Sequence, residues 1–195
     1  VPLVADISSC ICSEPLDISK FGLVFAGAQK NLAPAGLTIV IVREDLVGHA
    51  MEKTPTMLNY KTHVDGGSMF NTPPCYTIYI CELVLEWIKN TIGGLENMKA
   101  LNEKKAKLLY DFLDSSKLFH GTVVPEDRSL MNVPFVTGND DLNAKFVAEA
   151  ADAGMVNLKG HRTVGGMRAS IYNAMPYKGV ETLVDFMKKF EKANG

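Results

Sequence analysis

Two apolar runs, FGLVFAG from Phe21 and GLTIVIV from Gly36, stand close together and flank a short connection of small residues, amides, a proline and one lysine, Lys30. Their branched and aromatic side chains favour strands, and near-continuous apolar strands belong in a sheet covered on both faces. The opening VPLVADIS reads as a third strand, placing Val1 inside a buried element, so the first part of the chain is read as an α/β layer with a mostly parallel sheet. Lys30 is the exception in this stretch. An ammonium is costly to bury, so here it must reach water or be put to chemical use.

The chain of 195 residues carries 20 basic and 22 acidic side chains, a net charge of −2, which gives no global field for nucleic acid or an anionic membrane. Four cysteines, Cys10, Cys12, Cys75 and Cys81, are too few for a disulfide scaffold and lack paired zinc-ligand spacing. They point to a reducing compartment and, with no apolar run of membrane length and no signal peptide, to the cytoplasm. The chain opens without a methionine, in what reads as a strand, and is taken as the later part of a longer protein.

Further along, REDLVGHAMEKTP reads as a short helical or irregular excursion, and the glycine-rich THVDGGSMFNTPP from Thr62 as a loop. From Pro73 to about Asn90 the chain is apolar almost all round, which predicts a long, largely buried helix with Trp87 in the core. Gly93 and Gly94 break it. An amphipathic helix follows through LENMKALNEKKAKLLYDFLDSS, its lysines on the wet face. The remainder reads as strand (FHGTVV), strand (NVPFVTG), helix to Gly154, a short strand MVNL, strand MRASIYN and a terminal helix. The expected division is 1–95, part of a larger α/β domain, and 96–195, a small α+β domain.

Asp6 lies 24 residues before Lys30 at the end of VPLVA, where an α/β sheet presents its functional groups. An amine and a carboxylate at two strand ends of one sheet are what an aldehyde cofactor with a pyridine ring requires. The amine condenses with the aldehyde, and the carboxylate keeps the ring nitrogen protonated. The bland alternative for Asp6 is a turn-initiating aspartate before Ser8. Asn71 and Thr72 precede two prolines at a helix start, which suits an anion or an ordinary N-cap by Thr72. In GHRTVGGMR, His161, Arg162 and Arg168 suit a substrate with two anionic ends, or simply a solvated basic loop. His49, His63 and His120 form no metal-ligand spacing.

VADISS, AGAQKN, FNTPP and LKGHRTVGGMRASIYNAM, in this order, closely resemble the phosphoserine aminotransferase family, class V enzymes of the fold-type I pyridoxal-phosphate group. The resemblance runs the length of the chain. It implies that Lys30 is the Schiff-base lysine, that Asp6 partners the pyridinium nitrogen and that Gln29 contacts the cofactor phosphate. It implies also that Asn71 and Thr72 reach the phosphate of a neighbouring subunit in a homodimer. Arg168 is implied to bind the substrate α-carboxylate, and His161 and Arg162 its other anionic end. The implied reaction passes an amino group between glutamate and 3-phosphohydroxypyruvate. Family chains are nearly twice as long, so this chain alone is expected to lack a complete site and to be inactive. A lyase or desulfurase of the same fold, or a non-catalytic interaction piece, are the rival readings.

Overall fold

Strand β1 (Val4–Asp6) runs parallel to β2 (Leu23–Gly27), and β2 pairs antiparallel with β3 (Thr38–Val42), giving a sheet of order β1-β2-β3. The sheet is therefore mixed. The register sets Asp6 opposite Phe25 and Gly27 opposite Thr38. In this computed structural model, which describes residues 1–195, the chain divides into two compact units. One comprises Val1–Ile11 and Pro15–Thr91, the other Cys12–Glu14 and Ile92–Gly195.

Within the first unit only β2 is covered as its apolar sequence predicts. Leu23, Val24 and Ala26 are buried, whereas Val4 on β1 and Val40 and Ile41 on β3 are exposed. Val1 also lies outside any strand and in solvent. Each outer strand of a three-stranded sheet has a neighbour on one side only, so apolar character there does not guarantee burial. Helix α1 (Tyr60–Asp65) occupies part of the segment that composition assigns to a loop. Asn59 accounts for it by accepting the Lys61 N–H as a side-chain N-cap.

Helix α2 (Cys75–Glu86) runs on into a π-helical turn at Trp87–Ile92, close to the span predicted. Its burial differs from the prediction. Thr77, Cys81 and Ile88 are covered, but Tyr76 is 70% exposed and Tyr79 54%, and Trp87 is half-buried and not a core residue. No helix in the chain is long and apolar enough to cross a membrane. Gly93 and Gly94 both take positive φ (87° and 104°), a conformation that ends the helical run and that other residues rarely adopt.

The second unit packs α3 (Leu95–Ser115), α4 (Asp140–Asp152) and α5 (Tyr177–Asn194) with an antiparallel sheet of order β4-β5-β6. These strands are β4 (His120–Gly121), β5 (Asn132–Val136) and β6 (Met167–Ser170). MVNL is not a strand. Asn157 takes φ 64° there, and pairing is limited to a bridge from Lys159 to Met167 and the Arg168 N–H donated to Leu158 O. The core is aromatic. The ring of Phe119 lies 5.1 Å from Phe146 and 5.9 Å from Phe190, and Phe146 meets Phe190 edge-on at 5.2 Å. Such edge contacts add about 1 kcal/mol each beyond their burial.

One lysine of α3 is not on the wet face. Lys105 is fully buried, and its Nζ donates to the carbonyls of Ile171 (3.1 Å), Tyr172 (2.8 Å) and Asn173 (3.4 Å). Burial lowers its pKa from 10.5 to about 8. Because the unfolded chain holds this proton up to the ordinary lysine range, stability rises with pH between about 8 and 10.5. Replacing Lys105 by Met removes that dependence. The stability of the parent relative to Lys105→Met, from denaturant unfolding, is expected to climb across this window, with a slope approaching about 1.4 kcal/mol per pH unit. A flat difference would show that the buried amine does not titrate there.

Candidate active site

The turn after β2 resolves the cost of placing a lysine between two apolar runs. Ala28 N–H donates to Leu37 O, and Leu32 and Ala33 N–H both donate to Ala28 O, so residues 28–33 coil into one helical turn. That turn buries Ala28, Asn31 and Leu32 and leaves Gln29 and Lys30 exposed. Asn31 secures it by donating from Nδ2 to Ile11 O at 3.1 Å. Lys30 thus reaches water while its neighbours hold the backbone in place.

Asp6 ends β1, and Ser8 organises its carboxylate. Asp6 Oδ1 accepts the Ser8 N–H (2.9 Å) and the Ser8 hydroxyl (2.6 Å), while the same hydroxyl accepts the Gly27 N–H (2.9 Å) from the end of β2. The Ser8 hydroxyl holds the Asp6 pKa below the ordinary carboxylate value, with further lowering from the Ser8 amide and from the charge of Lys30. Asp6 is therefore ionised at neutral pH. The Asp6–Ser8 turn foreseen as the bland alternative is present, and it is also what orients the carboxylate. Ser8 stands in the VADISS motif, though the sequence alone assigns this serine no role.

Gln29 folds back over Gly27. A Cβ on Gly27 would meet the end of the Gln29 side chain and push its amide aside. Asn71 and Thr72 are both exposed and precede α2 in an irregular segment. Thr72 does not cap the helix. The N-cap is Pro74, without a side-chain bond, and the Asn71 amide donates to Thr72 O at 3.1 Å. The two prolines displace the helix start beyond the reach of that hydroxyl.

In the second unit, His161 and Arg162 are exposed on a glycine turn closed by Gly160 N–H to Gly166 O (2.9 Å), with His161 Nδ1 2.7 Å from the Thr163 hydroxyl. A Cβ at Gly160 would strike the carbonyls of Gly165 and Gly166, so this ring closes only on glycine. With Lys159, Asp140 and Asn143 these residues line a cavity of about 550 Å³ against α4. Arg168 on β6 lines a different, mainly apolar cavity of about 510 Å³ with Met155, Leu158 and Leu183. The structure therefore does not bring Arg168 into one cavity with His161 and Arg162. Arg168 Nε is buried and makes no hydrogen bond.

An exposed amine and an ionised carboxylate thus stand at adjacent strand ends of the first unit, and His161, Arg162 and Arg168 belong to the second. The family model Aminotransferase class-V matches residues 1–183, and the chain belongs to that family. It is 58% identical over 192 residues to a phosphoserine aminotransferase of Histophilus somni, covering 98% of this chain and 53% of that protein. The solved phosphoserine aminotransferase from Bacillus circulans superposes with a TM-score of 0.96 at 50% identity, covering 100% of this chain and 54% of the other. A pyridoxal-phosphate-bound phosphoserine aminotransferase from Trichomonas vaginalis gives 0.92 at 40%, covering 96% and 54%. The chain spans about half the length of the curated relatives it matches.

Ser8→Ala is expected to raise the Asp6 pKa toward its ordinary value by more than Lys30→Met does, because the serine is the larger cause of the lowering. Carboxyl-resolved NMR titration reads this directly. An Asp6 that titrates unchanged in Ser8→Ala would remove the serine from the account.

Proposed function

We propose that the protein carrying this chain is a phosphoserine aminotransferase, moving an amino group between glutamate and 3-phosphohydroxypyruvate with pyridoxal phosphate as cofactor. The observation that carries the reading is the Lys30 amine standing exposed just beyond β2, with the Asp6 carboxylate at the end of the neighbouring parallel strand. Membership of the class-V aminotransferase family and the names of the similar proteins support it.

The residues fit the cofactor. The primary amine of Lys30 is accessible, Asp6 is an ionised acceptor, and Gly27 has no side chain to crowd the Gln29 amide beside them. When bound, pyridoxal phosphate supplies an aldehyde and a ring that accepts electrons. Lys30 would hold it and, once displaced by the incoming amine, carry the proton to and from the substrate α-carbon. Asp6, already held ionised by Ser8, would keep a proton on the ring nitrogen. Gln29, and from a neighbouring subunit Asn71 and Thr72, would meet the phosphate. Arg168 would take the substrate α-carboxylate through its paired donors, and His161 and Arg162 the distal anionic group. Cytoplasmic residence belongs to the same reading, in keeping with four free cysteines.

In the full-length protein, Lys30→Arg keeps a cation and loses the primary amine. It is expected to fold normally, to take no pyridoxyl label on this peptide after borohydride reduction, and to lose at least about a thousandfold in turnover. A folded variant that transaminates near the parent rate would make Lys30 structural and the assignment wrong.

Homodimer sharing has its own test. Asn71→Ala subunits mixed with Lys30→Ala subunits should recover part of the activity, because some hybrids hold one intact site. Hybrids shown to form yet wholly inactive would count against it.

A further inference from the structure

With Ile171 N–H donating to Met131 O just beyond the strand, Arg168 is paired opposite Pro134 of β5. Its Nε lacks a hydrogen bond, and its N–H points away from β5 toward Leu158 O. The strand that bears it ends at Ser170, and the next three carbonyls, those of Ile171, Tyr172 and Asn173, all turn to the Lys105 ammonium. In extended chain successive carbonyls point to opposite sides, so three cannot meet one donor unless the strand bends out of the sheet. Lys105 sits at that bend. Asn102, one turn earlier on α3, donates to Asn173 Oδ1 at 2.9 Å and to Ser13 O at 2.9 Å, and Asn173 donates to Cys12 O at 2.9 Å.

No salt bridge involves Lys105, and its charge is met by carbonyl dipoles. An apolar residue at this position would leave those three carbonyls without their donor. A buried ammonium with three fixed acceptors imposes one geometry on the chain that carries them.

We infer that Lys105, supported by Asn102, is a positioning residue for Arg168: it pins the end of β6 three residues beyond the arginine and so holds the guanidinium in line for a carboxylate. Without the pin, the end of the strand loosens. The charge of Arg168 remains, but the paired alignment of its donors is lost. The inference rests on the proposed role of Arg168 in carboxylate binding.

The test is a double-mutant cycle in the full-length protein with Lys105→Met, Arg168→Lys and the pair, reading KM and kcat for glutamate, pyridoxyl labelling at Lys30 and thermal stability. Lys105→Met is expected to raise KM about tenfold, to leave kcat within about twofold and labelling intact, and to add little once Arg168 is already lysine. A purely structural lysine would change thermal stability without raising KM, or raise KM equally in both backgrounds, and either result overturns the inference. If Arg168→Lys alone leaves KM unchanged, the carboxylate role of Arg168 fails, and the positioning role with it. Should methionine not be accommodated, Lys105→Gln, which retains donors but has a shorter reach, is read by the same criteria.

Discussion

The parallel pairing of β1 with β2 is the constraint on which the candidate site depends. Its register carries both strands to the same end of the sheet, so that Asp6 and the turn holding Lys30 emerge there. The Ser8 hydroxyl then locks the two ends together, giving its proton to Asp6 and taking one from Gly27. A one-residue slip would turn Asp6 to the opposite face, because side chains alternate along a strand, and would break the Gly27 bond that joins the two strand ends. The helical turn after β2 completes the arrangement by sinking Ala28, Asn31 and Leu32 and lifting Gln29 and Lys30.

In the second unit a polar cluster has the comparable role. Lys105, Asn102 and Asn173 lie within an otherwise apolar interior and bind backbone carbonyls of distant segments. Burying such groups is costly, and the hydrogen bonds offset the cost only while every segment keeps its path. The aromatic set around Phe119 and Phe146 supplies the non-directional cohesion, and the polar cluster fixes which backbone conformation that cohesion stabilises. It also accounts for Cys12–Glu14 grouping with residues that follow Thr91 in sequence.

Apolar exposure in the first unit is unusual for a folded chain. Helix α2 is apolar on nearly every face, yet Tyr76, Tyr79, Leu83 and Leu85 are open, as are Val40 and Ile41 of β3. Large apolar side chains exposed in such numbers ordinarily mark a place where other polypeptide packs. The chain spans about half the length of the curated relatives it matches.

Much of this molecule is legible from sequence because local signals suffice for it. Branched apolar runs identify β2, β3 and β5, the lysine-striped period after Gly93 and Gly94 identifies α3, the stop at Gly154 marks the end of α4, and the AGAQKN turn with the preceding aspartate singles out Lys30 and Asp6 as candidates. Tertiary structure alone decided burial, because coverage depends on what lies opposite a residue and not on its own type. It exposed the apolar α2 and β3 and left MVNL outside the sheet. Lys105 shows the same limit from the other side. Its place in the helical period reads as one more solvated lysine, and only the convergence of three carbonyls from residues 171–173 makes it a buried one.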